Sequence, residues 1–335
     1  MGDVVIGVDL GGTKLAAGLV DRHGLVVAEA RWPRPVRAYE PALDAVDALA
    51  SDLRREAEER GHRVIAAGVA AAALFDADRT RVLYAPILEW WDRPFLEDLK
   101  QRLELPVVVD NDANAAAWGE CRYGAAVGER CVVMVTLGTG VGGGVVIDDR
   151  LVSGGSGLAA ELGHVKVGSD GRACPCGGED CLEQYASGSA LGRDARTAVE
   201  QDPARGRRLL AAAGGDLDRI DGRLVTAAAH DGDPLAVRLV GEVGTWLGRG
   251  LAQITAVLDP SVMVVGGGLA LAGEGLLGAA RAAYAASVSL RPARPPAPIR
   301  VAALGNAAGV VGIAALARSR TPGPARTLDH VSNRG

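Results

Sequence analysis

Val8-Asp9-Leu10-Gly11-Gly12-Thr13 stands near the start of this chain, and Val135-Thr136-Leu137-Gly138-Thr139-Gly140 repeats it 127 residues on (position 136 against position 9). The match continues without a gap from Gly18-Leu19-Val20-Asp21 to Val145-Val146-Ile147-Asp148. Each copy is an apolar run, a Gly turn and a second apolar run, the pattern of a β-hairpin. A supersecondary unit that occurs twice predicts an internal duplication and two related lobes with a cleft between them. On the residues alone, two Gly-rich hairpins of separate origin stay open as the alternative.

Around the hairpins, strands alternate with helices. Val4–Asp9, Ala16–Val20, Leu25–Ala28, Val64–Val69, Val107–Val109, Val262–Val265 and Ile299–Ala303 read as strands. Pro41–Arg60, Phe95–Leu103, Asp112–Arg122, Leu269–Ser289 and Gly309–Ala317 read as helices, with mostly helical chain from the Cys-rich stretch to Leu258. Strands alternating with helices define an α/β protein. Thr321–Gly335 reads as a disordered tail.

The chain has 335 residues, 48% hydrophobic and 23% charged, as expected of a globular protein of one large or two ordinary domains. The net charge is −5, and no basic stripe interrupts the sequence, so a nucleic-acid partner is not expected. The first residues carry neither a basic leader nor a long apolar run, so no signal peptide or membrane span is expected and the predicted location is the cytoplasm.

Of five Cys, three fall with one His inside Glu161-Leu162-Gly163-His164 to Cys181-Leu182-Glu183. His164, Cys174, Cys176 and Cys181 form a Cys₃His set suited to tetrahedral structural zinc, Zn²⁺. In a reducing compartment such a cluster favours metal over disulfide. Cys121 and Cys131 lie in apolar patterns and read as buried thiols. The interleaved carboxylates Glu161 and Glu183 are not needed by such a metal. They suit the hydroxyl donors of a sugar, and solvated surface charge is their plain alternative.

Asp9-Leu10-Gly11-Gly12-Thr13-Lys14 can hold phosphate, because glycines let backbone N–H groups approach an anion and Asp9 can bind Mg²⁺ through water. Gly138-Thr139-Gly140 is a second such loop, able to clamp a triphosphate from the other side. Gly266-Gly267-Gly268 follows a strand and permits close approach of a flat base or its ribose. A simple turn is the alternative for all three. Asp110-Asn111-Asp112-Ala113-Asn114 opens a helix, where Asp and Asn are favoured caps. One cap needs one polar side chain, and four are crowded here, so a carboxylate acting as a base is expected.

These motifs resemble the ROK family of sugar kinases and repressors, in its actinobacterial glucokinase branch. The resemblance runs from Val4 to about Ala317 and rests on Asp9 to Lys14, Asn111-Asp112-Ala113-Asn114 through Trp118-Gly119-Glu120, Leu137 to Gly140, and Gly163-His164 with Cys174, Cys176, Cys181 and Glu183. It implies an actin-like (ribonuclease H-like) fold of two lobes with an ATP-and-sugar cleft. The small lobe would be residues 1–110, completed by a C-terminal helix at about 305–320, and the large lobe residues 111–304 with the zinc site. It implies Asp112 as the base that deprotonates a hexose 6-hydroxyl for attack on the γ-phosphate. Asn111, Glu161, His164, Glu183 and Ala73 would hold the sugar. Asp9, Gly11, Gly12, Thr13, Lys14, Thr139, Gly140, Gly266, Gly267 and Gly268 would surround ATP and Mg²⁺. A homodimer or homotetramer is implied as well.

The chain departs from the family pattern in three places. Ala73 stands where the glycine of a Pro-Gly pair is usual, Ile87 in Ala85-Pro86-Ile87 where asparagine is usual, and Asp180 where glycine commonly precedes the last Cys. The first two are expected on the sugar side, Ala73 narrowing the pocket and Ile87 removing an amide, and the third is expected to matter little. Neutral drift is the alternative reading of the first two departures, and glucose is the default substrate. A modified hexose such as 3-amino-3-deoxyglucose, or a C7-cyclitol, is the alternative. ATP is the expected donor, and polyphosphate, which some relatives use, is left open. A repressor would need a helix-turn-helix ahead of the first strand, and a sensor without catalysis would not need Asp112.

Overall fold

The computed structural model describes residues 2–12, 15–290 and 292–321. Thr13 and Lys14 of the first Gly turn, and the tail beyond Thr321, lie outside the described residues.

The chain runs β1 (Asp3–Leu10), β2 (Leu15–Val20), β3 (Val26–Trp32), α1 (Tyr39–Glu59), β4 (Arg63–Ala71), β5 (Leu74–Phe75), β6 (Val82–Ala85), β7 (Trp90–Arg93), α2 (Phe95–Leu103), β8 (Val107–Asn111) and α3 (Asp112–Tyr123). It continues with β9 (Cys131–Leu137), β10 (Val141–Ile147), β11 (Arg150–Leu151), α4 (Glu183–Ala186), α5 (Gly188–Gln201), α6 (Arg207–Ala212), α7 (Gly222–His230), α8 (Pro234–Leu258), β12 (Val262–Gly266), α9 (Glu274–Ser287), β13 (Ile299–Val301) and α10 (Ala308–Arg320).

Two five-stranded sheets share one plan, β3-β2-β1-β4-β8 and β11-β10-β9-β12-β13. In each, a hairpin and its next strand pair antiparallel, and two further strands add parallel to the hairpin's first strand. The sequence repeat is thus the start of a repeated sheet. Parallel strands all end on one side, and that edge is where α/β sheets place ligands. Register puts Asp9 beside Ala70 and Ala70 beside Asp110 along this edge.

The first sheet buries its α1 face around Val8, Leu43, Val46, Leu53 and Val69. The second buries Val135, Val145 and Val265 in one cluster with Leu239, Leu247 and Leu251 of α8 and Leu276 and Leu277 of α9. Between the sheets, α3 and α10 pack on each other, and α10 lies on β1 and β4. A Cβ on Gly7 would stand 2.2 Å from the Val310 carbonyl, and one on Gly68 2.4 Å from that of Ile313, so only bare backbone admits α10 at this distance. Glu120, fully buried on α3, accepts hydrogen bonds from the backbone N–H groups of Ala125 (2.7 Å), Ala303 (3.0 Å) and Leu304 (2.8 Å). It thereby anchors the chain that returns to start α10.

The sequence reading differs from this fold in two places. The helix expected over Leu269–Ser289 is a 3-10 turn at Gly268–Ala272, then Gly273 at φ +65°, then α9. The three-stranded sheet β5-β6-β7 was not expected. Its strands are two to four residues long, too short for a period-2 pattern to show. No helix among the described residues is long and apolar enough to cross a membrane.

Candidate active site

Asn111 is the N-cap of α3. Its Oδ1 accepts from the N–H groups of Ala113 (2.8 Å) and Asn114 (3.1 Å), and its Nδ2 donates to the Ala73 carbonyl (3.2 Å). Capping therefore accounts for Asn111 Oδ1, and only one of its amide hydrogens is left for a ligand. The next residue, Asp112, is half-buried at the first turn of α3, where the Ala113 N–H donates to its Oδ1 (2.9 Å). Burial pushes the Asp112 carboxyl up to about 6; the like charge of Asp9 and, more weakly, of Glu161 add to this, against the backbone N–H groups that favour the anion.

Asp9 is 7% exposed at the end of β1, and a Cβ on Gly309 would stand 2.8 Å from its carboxyl carbon. Gly309 thus leaves room for that carboxylate at the start of α10. Gly12 meets Ile87: a Cβ on Gly12 would lie 2.0 Å from Ile87 Cγ2. The exposed Ile87 side chain therefore lies over the first Gly turn. Ala73 corrects the expectation of a narrowed pocket. It is 3% exposed and belongs to the apolar cluster of Ala71, Phe75 and Val82, so its carbonyl, not its methyl, reaches the site.

In the second sheet, the exposed Gly138 and Thr139 and the half-buried Gly140 form the β9–β10 turn. The Gly266–Gly268 turn is brought against it, since a Cβ on Gly267 would lie 2.4 Å from the Leu137 carbonyl. Glu183 Oε2 accepts from the Val141 N–H at 2.9 Å. Glu183 therefore fastens the Cys-rich segment to this turn with one oxygen and keeps the other for a ligand. Glu161 is half-buried; burial raises its carboxyl above the ordinary range, His164 opposes this, Glu183 reinforces it and Arg79 opposes it.

The ligand atoms of His164, Cys174, Cys176 and Cys181 all lie within 4.8 Å of one another. Cys174 Sγ is 3.7 Å from His164 Nδ1, and Cys176 Sγ is 3.7 Å from Cys181 Sγ. Tetrahedral zinc with Zn–S of about 2.3 Å spaces its ligands about 3.8 Å apart, so the donor set fits that ion. His164 is exposed and turns Nδ1 to the thiols, which leaves Nε2 for a ligand. Gln184 Nε2 donates to Cys174 Sγ at 3.7 Å. Asp180 has consequences beyond those expected of it. Its φ of +58° explains why glycine is common there, and its carboxylate accepts from the Tyr185 hydroxyl (2.6 Å) and the Arg172 N–H (3.0 Å), which shapes the Cys loop. Cys121 is buried and Cys131 half-buried, and burial raises both thiols.

The sequence shows no role for Arg79, and it marks Glu120 only as part of the resemblance and Gly309 only as the start of a helix. Arg79 Nε lies 3.1 Å from Asp110 Oδ1, both side chains being buried.

Two sheets of one plan, with Asp9 and the raised carboxyl of Asp112 at the ends of the first sheet's parallel strands, make an arrangement suited to phosphoryl transfer. The chain belongs to the ROK family, whose sequence model matches residues 5–320. It is 43% identical over 319 residues to a glucokinase of Streptomyces coelicolor, covering 95% of this chain and 99% of that one. It is 42% identical to a ROK family glucokinase from Streptomyces griseus whose crystal structure holds glucose and AMPPNP, with a TM-score of 0.85 and 94% and 99% of the two chains covered. A ROK hexokinase from Thermus thermophilus is 37% identical, with a TM-score of 0.78 over 94% and 98%. The fold is accordingly the actin-like α/β fold of these sugar kinases.

Proposed function

We propose that this chain is an ATP-dependent kinase that phosphorylates the 6-hydroxyl of glucose. The observation that carries the proposal is the placement of Asp112 at the start of α3, directly after β8 and near Asp9 and Glu161, where burial and these like charges raise its carboxyl to about 6. Such a group is mostly ionised at neutral pH, yet takes a proton more readily than an ordinary carboxylate, which suits a general base. The glucose and AMPPNP of the Streptomyces griseus enzyme support both the sugar and an ATP-type donor.

In this reading Asp112 accepts the proton of the 6-hydroxyl as its oxygen attacks the γ-phosphorus. Glu161, the second oxygen of Glu183 and His164 Nε2 receive the other hydroxyls, and Asn111 sets the helix that presents Asp112. The turns at Gly11-Gly12 and Thr139-Gly140 offer N–H groups to the phosphates, and Gly266–Gly268 lies beside the second turn for the nucleoside. Thr13 and Lys14 are proposed as members of the first turn on sequence alone. Mg²⁺, when bound, neutralises phosphate charge, and the carboxylate of Asp9, repelled by Asp112, suits such an oxygen-bound cation. Zinc is proposed as the structural ion of the His164–Cys181 set on its donor spacing.

A small lobe of residues 1–110 completed by the helix at about 305–320, and a large lobe of 111–304, are proposed as the units that close on substrate. A homodimer or homotetramer in the cytoplasm is proposed from family membership. Ile87 favours a second reading, in which the sugar is a modified hexose or cyclitol, because an exposed apolar side chain replaces an amide beside Gly12. The test is formation of glucose 6-phosphate from glucose and ATP, read by its dehydrogenase. Steady product formation is expected, and its absence at high enzyme concentration would refute the assignment.

A further inference from the structure

The turn between β5 and β6 carries a buried arginine that the chemistry above leaves unused. Arg79 is 5% exposed and sits at φ +54°, in the left-handed region that non-glycine residues enter at a cost of about 1–2 kcal/mol. Asp76 shapes the turn, accepting from the N–H groups of Thr80 (2.7 Å) and Arg81 (3.0 Å). The guanidinium reaches two distant segments. Its Nε lies 3.1 Å from Asp110 Oδ1, two residues before Asp112, where Arg320 is a second and more distant cation at 3.8 Å. Its Nη1 donates to the Gly157 carbonyl at 2.8 Å, four residues before Glu161.

Gly157 has φ +82°, and a Cβ there would stand 2.6 Å from the Asp76 carbonyl oxygen and 2.7 Å from that of Phe75. The 152–160 loop and the turn therefore meet backbone to backbone. A buried ion pair is by itself weak evidence of stabilisation, because desolvation offsets most of the attraction. The arrangement does fix where three segments lie relative to each other.

We infer that Arg79 is a latch, a positioning residue that fastens the 152–160 loop, and with it Glu161, to the strand that presents Asp112. This rests on the sugar-kinase reading of the site. With the latch intact, the acceptor carboxylate and the base hold one spacing, and the sugar hydroxyls meet both together. A misplacement of about 1 Å in such a pair can cost about 100-fold in rate.

The test uses Arg79→Lys, which keeps the charge beside Asp110 but lacks the planar fork needed to reach Gly157 as well, and Gly157→Ala, which disturbs the same junction from the loop side. Glucose and ATP KM and amide hydrogen exchange of residues 152–160 are measured on the full chain. The latch predicts a 10- to 100-fold rise in glucose KM, an ATP KM within twofold of the parent, and faster exchange confined to 152–160. A folded Arg79→Lys with unchanged glucose KM and unchanged loop exchange would overturn it. If Arg79→Lys does not fold, Gly157→Ala decides by the same readouts. Loop exchange is read without turnover, so a parent enzyme that makes no glucose 6-phosphate would sink the kinase reading and not the latch.

Discussion

Replacing Asp112 with Asn separates catalysis from stability in a way the site geometry makes quantitative. Asn keeps the shape and one acceptor oxygen, so the Ala113 N–H retains its partner. It cannot take the hydroxyl proton, and loss of a general base costs about 100- to 10,000-fold in kcat. The same change relieves strain. Asp112 rises from 3.8 to about 6 in the folded protein, a difference worth about 3 kcal/mol at 1.36 kcal/mol per unit. Solvent around the half-buried carboxyl reduces this to about 1–2 kcal/mol. Because the folded pKa lies above the unfolded one, wild-type stability is unimpaired below about pH 4 and is lost as pH rises through about 6. Asp112→Asn should therefore melt a few degrees above wild type at pH 8 and level with it at pH 4. The assay is paired: thermal melts at the two pH values and initial rates of ADP release. Normal turnover would refute the base assignment. A variant no more stable than wild type at pH 8 would refute the electrostatic account of Asp112.

Three further outcomes are expected. In wild type, kcat/KM for sugar should fall as pH drops through about 6, since only ionised Asp112 accepts the proton; a flat profile from pH 8 to 5 contradicts this. Glu120→Ala leaves three backbone N–H groups without their acceptor and should lower stability by about 3 kcal/mol or more, read as a fall in melting temperature. Chelating the proposed zinc should weaken glucose binding about tenfold or more before the protein unfolds, because His164 is proposed to hold both the ion, through the Nδ1 that faces Cys174, and the sugar; calorimetric affinity unchanged after complete removal of the ion would sink that coupling.

The two-lobed α/β plan was legible because the Gly hairpin occurs twice, and each copy nucleates a sheet of the same order. The Cys₃His set was legible because its members are close in sequence as well as in space. What escaped reading depends on long-range pairing. Arg79 sits in the charged run Asp76 to Arg81, and its partners Asp110 and Gly157 are remote in sequence. Glu120 looks like one more helix-surface charge until the chain near Ala303 folds back on it. Ala73 reads as a pocket residue because sequence position does not tell which way a methyl points at the end of a strand, and it lies in the apolar cluster. The helix at Leu269 was overextended because Gly273, at positive φ, ends one turn and opens the next within a single apolar run.

The activity proposed for this chain is sugar phosphorylation with a preference for glucose. Its most direct test is kcat/KM from ADP release with ATP and Mg²⁺ across glucose, mannose, fructose, N-acetylglucosamine, N-acetylmannosamine, 3-amino-3-deoxyglucose and a C7-cyclitol. The account predicts the highest value on glucose, with Ile87 tolerated beside Gly12. Weak turnover of glucose beside strong turnover of a modified sugar would contradict it.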